Sequence, residues 1–146
     1  MKDALFFGLF AALFFGINPI FYKLAISEKK IDPVFIMLLY SGGSFFLSII
    51  IFLITKPNCT ITLVSTCYGI SAGILYGLGL LCVALAFAKG VPASLMVPLY
   101  SINALITVCL GIFWLNEIPD IKGIIKIITG TILIIVGAII VSLYKN

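Results

Sequence analysis

"ASLMVPLYSINALITVCLGIFWL" (Ala93–Leu115) runs for 23 residues without a charged side chain. A helix needs about 20 mainly apolar residues to cross the ~30 Å of hydrocarbon in a bilayer, so the stretch reads as a membrane span. Its middle is unusual. Pro98, Tyr100, Ser101, Asn103 and Thr107 crowd together there, and each polar group costs free energy in hydrocarbon unless a partner satisfies it. At about 100° per residue, Met96, Tyr100, Asn103, Thr107 and Gly111 share one narrow face, while Leu99, Ile106 and Leu110 point elsewhere. The polar groups therefore converge. Pro98 has no N–H for the Ser94 carbonyl, which predicts a kink at this level.

Four more apolar runs flank this one, at about 4–22, 34–54, 64–88 and 127–144, with the quoted run at 93–115. All 14 charged residues fall between these runs or at their ends. With 63% hydrophobic and 10% charged residues, and a mean hydropathy of +1.33, the chain exceeds what a water-soluble fold of this size can hide. A membrane barrel would alternate apolar and polar residues in ten-residue segments, and no such pattern occurs. The expected class is an all-α membrane protein, a single domain of five spans over 1–146. The first run is too long for a signal peptide and lacks a small-x-small cleavage site, so it reads as a retained span.

The connections carry helix signals. Asp32 is placed to cap the second span with Pro33 at its first position, and Asp120 to cap the fifth, with Lys126 reaching back to the interface. "KGVP" (Lys89–Pro92) is short enough to make the third and fourth spans an antiparallel hairpin. Tyr22, Trp114 and Tyr144 lie near span ends, where an aromatic belt sits. Asn58-Cys59-Thr60 matches a glycosylation acceptor without other signs of a secretory context.

Inside a membrane, helices associate through close backbone approach, which small residues permit. Gly69, Gly73 and Gly77 recur every fourth residue in the third span, and Gly8, Ala12 and Gly16 do so in the first. Ser41, Ser44 and Ser48 share a face of the second; Gly130 and Gly137 lie two turns apart in the fifth. Gly8, Gly16, Gly69, Gly73 and Gly77 are expected to pack helices. Asn18-Pro19 repeats in the first span the pairing of a polar side chain with a proline. Two readings of these polar groups stand side by side: hydrogen-bonded glue between helices, or the lining of a cavity near the midplane. Under the second, the candidates for solute contact are Asn18, Tyr76, Tyr100, Asn103 and Thr107. Lys23 lies on the stripe of Gly8, Ala12, Gly16 and Pro19; it is either a snorkelling helix-end lysine or a positive mouth for anionic solutes.

The chain has no histidine, and Cys59, Cys67, Cys82 and Cys109 lack metal-ligand spacing, so no metal or cofactor is expected. No Asp or Glu lies within a run, which leaves no base to activate a nucleophile, and an enzyme is not expected. The lysines form no block, so nucleic acid is not implied.

"AFAKGVPASLMVPLYSINALITVCLGIFWLNEIPDIKGIIKIITGTILIIVGAIIV" resembles the last three helices of an EamA-type domain of the drug/metabolite transporter superfamily. The shared features are the "KGVPAS" turn, the "VPLYSINALIT" helix, the "LGIFWLNE" exit with Glu117, and the glycine-bearing final helix. "FFGINPIFYK" resembles the family's first helix, with Phe15-Gly16 in place of its usual Trp-Gly and Lys23 as its basic residue. The resemblance implies one half of a ten-helix inverted-repeat transporter that exports or exchanges small metabolites or drug-like solutes by alternating access through a central cavity. Small multidrug-resistance exporters rely on a membrane-buried glutamate, a residue type missing from these runs, so facilitated diffusion or exchange fits better than proton antiport.

A lone half needs a partner. Lys2, Lys56, Lys122 and Lys126 would lie on one side of the membrane, and Lys23, Lys29, Lys30, Lys89 and Lys145 on the other. Such balance gives little orientation bias, as expected of a chain inserted both ways and paired as an antiparallel homodimer. A heterodimer with a sister half is the alternative partner arrangement. A non-transporting accessory or scaffold subunit, and a lipid-carrier flippase subunit, are the alternative functions. The expected location is the cell (inner) membrane of a prokaryote, with the lipid bilayer and a small-molecule solute as further partners.

Overall fold

The computed structural model describes residues 2–27, 31–58, 61–118 and 120–143. These form α1 (Lys2–Ser27), α2 (Pro33–Thr55), α3 (Leu63–Ala88), α4 (Ala93–Tyr100), α5 (Asn103–Phe113) and α6 (Ile121–Ser142), with no strand among the described residues. Five segments are long and apolar enough to cross a membrane: Leu5–Ser27, Pro33–Thr55, Leu63–Ala88, Ala93–Phe113 and Ile121–Ser142. The fourth is built from α4 and α5.

Helix starts follow the local chemistry. Asp32 Oδ1 accepts the Val34 amide at 2.7 Å, with Pro33 at the first helical position. The Asp120 carboxylate accepts the Lys122 and Gly123 amides at 3.2 Å each. That cap, as expected, starts α6 ahead of the apolar run that begins near 127, so Lys122 and Lys126 lie inside the helix. α1 likewise continues past 22 to Ser27. Thr62 and Ser65 form a reciprocal capping box at the start of α3, a signal the sequence carried in the T-x-x-S spacing.

The prolines behave differently. α1 runs unbroken through Pro19, which is buried. The fourth span breaks at Ser101–Ile102, three residues after Pro98. There the ladder tightens: Ile102, Ala104 and Leu105 donate three residues back, to Leu99, Ser101 and Ile102, in the manner of a 3₁₀ turn. The expected kink is thus a break between two short helices.

The helices group into two compact units, 1–91 and 92–146. In the second, α4 and α5 each pack on α6, and Ala93, Gly111, Ile112, Thr131 and Ala138 are its buried residues. At the exit of α5, Asn116 takes a left-handed conformation (φ 51°) and the Glu117 amide donates to the Gly111 carbonyl at 3.1 Å. This folds the Glu117 carboxylate over Gly111, 2.9 Å from where a Cβ would stand.

In the first unit, α1, α2 and α3 pack on one another. Its buried residues, Pro19, Tyr22, Ile26, Ile36, Ala84 and Phe87, all lie toward the C-terminal ends of α1 and α3 and the N-terminal end of α2. On those same faces toward the opposite end stand Gly8, Gly16, Gly43, Gly69 and Gly73, and no atom lies within 4 Å of the place a Cβ would take on any of them. Only Gly77, of the five glycines expected to pack helices, meets a neighbour, Met37 Cε at 3.6 Å. Gly8, Gly16, Gly69 and Gly73 therefore meet no neighbouring helix within the α1–α3 unit. The three helices converge at the Tyr22 end, and their small-residue stripes lie beyond the convergence.

α3 ends in a Schellman turn: the Gly90 amide donates to Phe87 and the Val91 amide to Ala86, with Gly90 at φ 86°, a conformation that glycine adopts without a Cβ clash. Gly90→Ala is expected to cost about 1 kcal/mol, read as a lower midpoint in detergent–SDS unfolding followed by circular dichroism. Gly79→Ala, in mid-helix with open space for a Cβ, should hold or raise that midpoint.

Candidate functional site

Three polar side chains meet between the helices of the first unit. Asn18 lies just past the centre of Leu5–Ser27, Tyr40 in the N-terminal half of Pro33–Thr55 and Tyr76 at the centre of Leu63–Ala88. Because α2 must run against α1 and α3 to cross the bilayer, these positions fall at similar depths. The Asn18 amide Nδ2 donates to the Tyr40 hydroxyl, and the Tyr40 and Tyr76 hydroxyls share a hydrogen bond of 2.7 Å. An amide–hydroxyl–hydroxyl chain thus links α1, α2 and α3 near the middle of their apolar spans. By contrast, the Ser44 and Ser48 hydroxyls turn back onto their own helix, at 2.9 and 2.8 Å from the Ser41 and Ser44 carbonyls.

Tyr22 supports this chain from below. It is only 5% exposed, its ring meets Tyr40 edge-on at 5.2 Å and Phe87 at 6.2 Å, and its hydroxyl donates to the Leu80 carbonyl at 3.4 Å. It is a packing residue between helices and not a member of an interfacial belt. Trp114, 77% exposed at the end of α5, is placed as a belt residue would be; Tyr144 lies outside the described residues, as do the loop residues Glu28, Lys29, Lys30 and Cys59.

Lys23 bends toward the α3 turn. Its Nζ donates to the Val91 carbonyl at 2.8 Å and lies 5.8 Å from the centre of the Phe87 ring. Both the "KGVP" turn and the basic residue of the first helix acquire a structural meaning here: Gly90 lets the turn present a carbonyl, and Lys23 binds it.

Beside the chain an open groove of about 300 Å³ is lined by Asn18, Tyr22 and Tyr40 with Phe21, Ile36 and Leu39. Of the residues singled out from sequence, Asn18 and Tyr76 are brought together, through Tyr40, which sequence reasoning missed. The signal was present: a lone tyrosine two turns into the second span, beside Ser41 and at the depth of Asn18. Tyr100, Asn103 and Thr107 belong to the second unit. The break at Ser101–Ile102 falls between Tyr100 and Asn103, so the straight face predicted for them is interrupted. Tyr100 is half-buried, while Asn103 and Thr107 are exposed on the described chain. The Ser101 hydroxyl bonds to the Val97 carbonyl at 2.9 Å.

Five apolar spans with an intramembrane polar centre define a multi-pass integral membrane protein. The model of the EamA-like transporter family matches residues 3–143, and the chain belongs to that family, within the drug/metabolite transporter superfamily. It is also 35% identical over 137 residues to an uncharacterized protein of Methanocaldococcus jannaschii, covering 92% of this chain and 97% of that protein. No solved structure matches.

Proposed function

We propose that this protein is a secondary transporter moving small metabolites or drug-like solutes by alternating access, as a single five-span domain that pairs antiparallel with a second copy in a prokaryotic cell membrane. The observation that carries the reading is the Asn18–Tyr40–Tyr76 chain. Polar groups held at mid-depth by three different spans are what a solute pathway needs. The break of the fourth span supports it too, since interrupted helices expose backbone groups where a cavity is lined. The proposed solute contacts are Asn18, Tyr76 and Tyr40 in the first unit, with Lys23 as a positive group near the end of α1, and Tyr100, Asn103 and Thr107, which flank that break, in the second. The glycine stripes left without a neighbour, Gly8 with Gly16 and Gly69 with Gly73, supply faces for the second copy.

Reconstitution in liposomes tests the transport reading. Counterflow of at least one solute from a panel of amino acids, nucleosides, sugars and cationic dyes is expected above that of empty vesicles. A scaffold subunit would give none, and a thiol placed at 103 or 107 would then stay inert to water-soluble reagents once the native cysteines are removed. A C-terminal reporter should appear on both faces of the membrane; detection on one face alone would replace the homodimer with a heterodimer.

A further inference from the structure

We infer that the solute held by the first unit is uncharged and carries a flat ring with a hydrogen-bonding group; this substrate class rests on the transport reading above and sharpens it. Charge limits the guest. Among Leu5–Ser27, Pro33–Thr55 and Leu63–Ala88 the only charged side chain is Lys23. Its ammonium is drawn to the Val91 carbonyl at 2.8 Å and does not line the groove. A charged guest beside Asn18 and Tyr40 would therefore meet no opposite charge. An uncompensated charge in the membrane interior costs about 60-fold or more in binding.

Rings line the groove as well. Tyr22 and Tyr40 meet edge-on, 5.2 Å apart at 61°, and both line it together with Phe21. These walls favour a flat guest that stacks or meets them edge-on. A desolvated ring attracts a cation by about 30-fold, less than the desolvation cost. A neutral guest keeps the ring contacts without that cost. A groove of about 300 Å³ is at the small end of ligand sites and holds a single substituted ring.

The polar chain sets what the guest's hydrogen-bonding group meets. A tyrosine hydroxyl both donates and accepts, and an amide offers both functions. Rotating the Tyr40 hydroxyl and turning the Asn18 amide reverses the polarity of the chain, so a guest can present either a donor or an acceptor to it.

Nicotinamide, nicotinate and 1-methylnicotinamide share one ring and are neutral, anionic and cationic at pH 7.5. Their binding to the purified protein in lipid nanodiscs, by isothermal titration calorimetry, tests the class. Nicotinamide should bind about ten-fold or more tightly than either charged analogue. Tyr40→Phe, which keeps the ring and removes the hydroxyl, should weaken nicotinamide about ten-fold. Should Tyr40→Phe also lower the melting temperature, Asn18→Leu, which removes the amide that lines the groove, decides with the same expected loss. A charged analogue binding as well as nicotinamide overturns the proposal. So does an absence of nicotinamide binding to folded protein, or removal of the deciding hydroxyl or amide without effect. Preference for nicotinamide without counterflow of any solute would remove the transport reading and leave the site standing; counterflow of a charged solute alone would do the opposite.

Discussion

Tyr22→Ala is expected to destabilise the α1–α3 unit by roughly 3 kcal/mol, the scale of removing a large ring from a packed interior. Tyr22 is 5% exposed and meets the Tyr40 and Phe87 rings in edge-type contacts. In a membrane the loss is not one of hydrophobic transfer, because lipid is as apolar as the interior. It is the loss of dispersion contacts around a void that neighbours fill only in part. The convergence point of the three helices is at this ring, so little other packing in the unit compensates. Tyr22→Phe keeps the ring and gives up only a 3.4 Å bond to Leu80, worth under about 1 kcal/mol. Detergent–SDS unfolding by circular dichroism separates the two variants. Equal midpoints for Tyr22→Ala and wild type would contradict the packing described.

Lys23→Met is expected to cost about 1.5 kcal/mol, the low end for a hydrogen bond to a charged donor because Lys23 is only half-buried. The ammonium–carbonyl bond to Val91 joins α1 to the turn that ends α3, 68 residues away. Methionine retains most of the apolar stem beside Phe87 and removes the donor. Lys23→Gln, with a shorter amide, should fall between methionine and wild type. A positive mouth for anions predicts another result: unchanged unfolding for all three proteins, with anion transport lost in both variants and neutral transport kept. Measuring stability and transport on the same samples separates a tether from a mouth.

Much of this protein was legible in its sequence, for reasons that can be named. Hydrocarbon excludes charge, so charge-free runs mark the spans without reference to any neighbour, and α2 and α3 fall within a residue of expectation at each end. Caps are equally local. Asp32 and Asp120 bond to amides two or three residues away, inside the reach of one side chain. α1 runs past the apolar run that ends at 22, and α6 starts at its Asp120 cap ahead of the apolar run at 127: lysine closes a charge-free run, although its stem is at home inside a helix end.

The polar centre depended on distance along the chain. Tyr40 is 22 residues from Asn18 and 36 from Tyr76. Whether their hydroxyls and amide meet rests on the rotation and tilt of three helices, which the packing around Tyr22 sets. The break after Pro98 was announced by composition, yet its place at Ser101–Ile102 follows from how the ladder is shared among several residues. The same holds for the glycines. Their four-residue spacing is written in the chain, but only the convergence of α1, α2 and α3 at one end decides that Gly77 meets a neighbour and Gly69 and Gly73 do not. The sequence by itself determined the membrane class, the spans, their caps and the family, because each rests on properties carried by single residues or adjacent turns. The tertiary structure alone decided which polar groups are joined, because that depends on angles between helices that no single span contains.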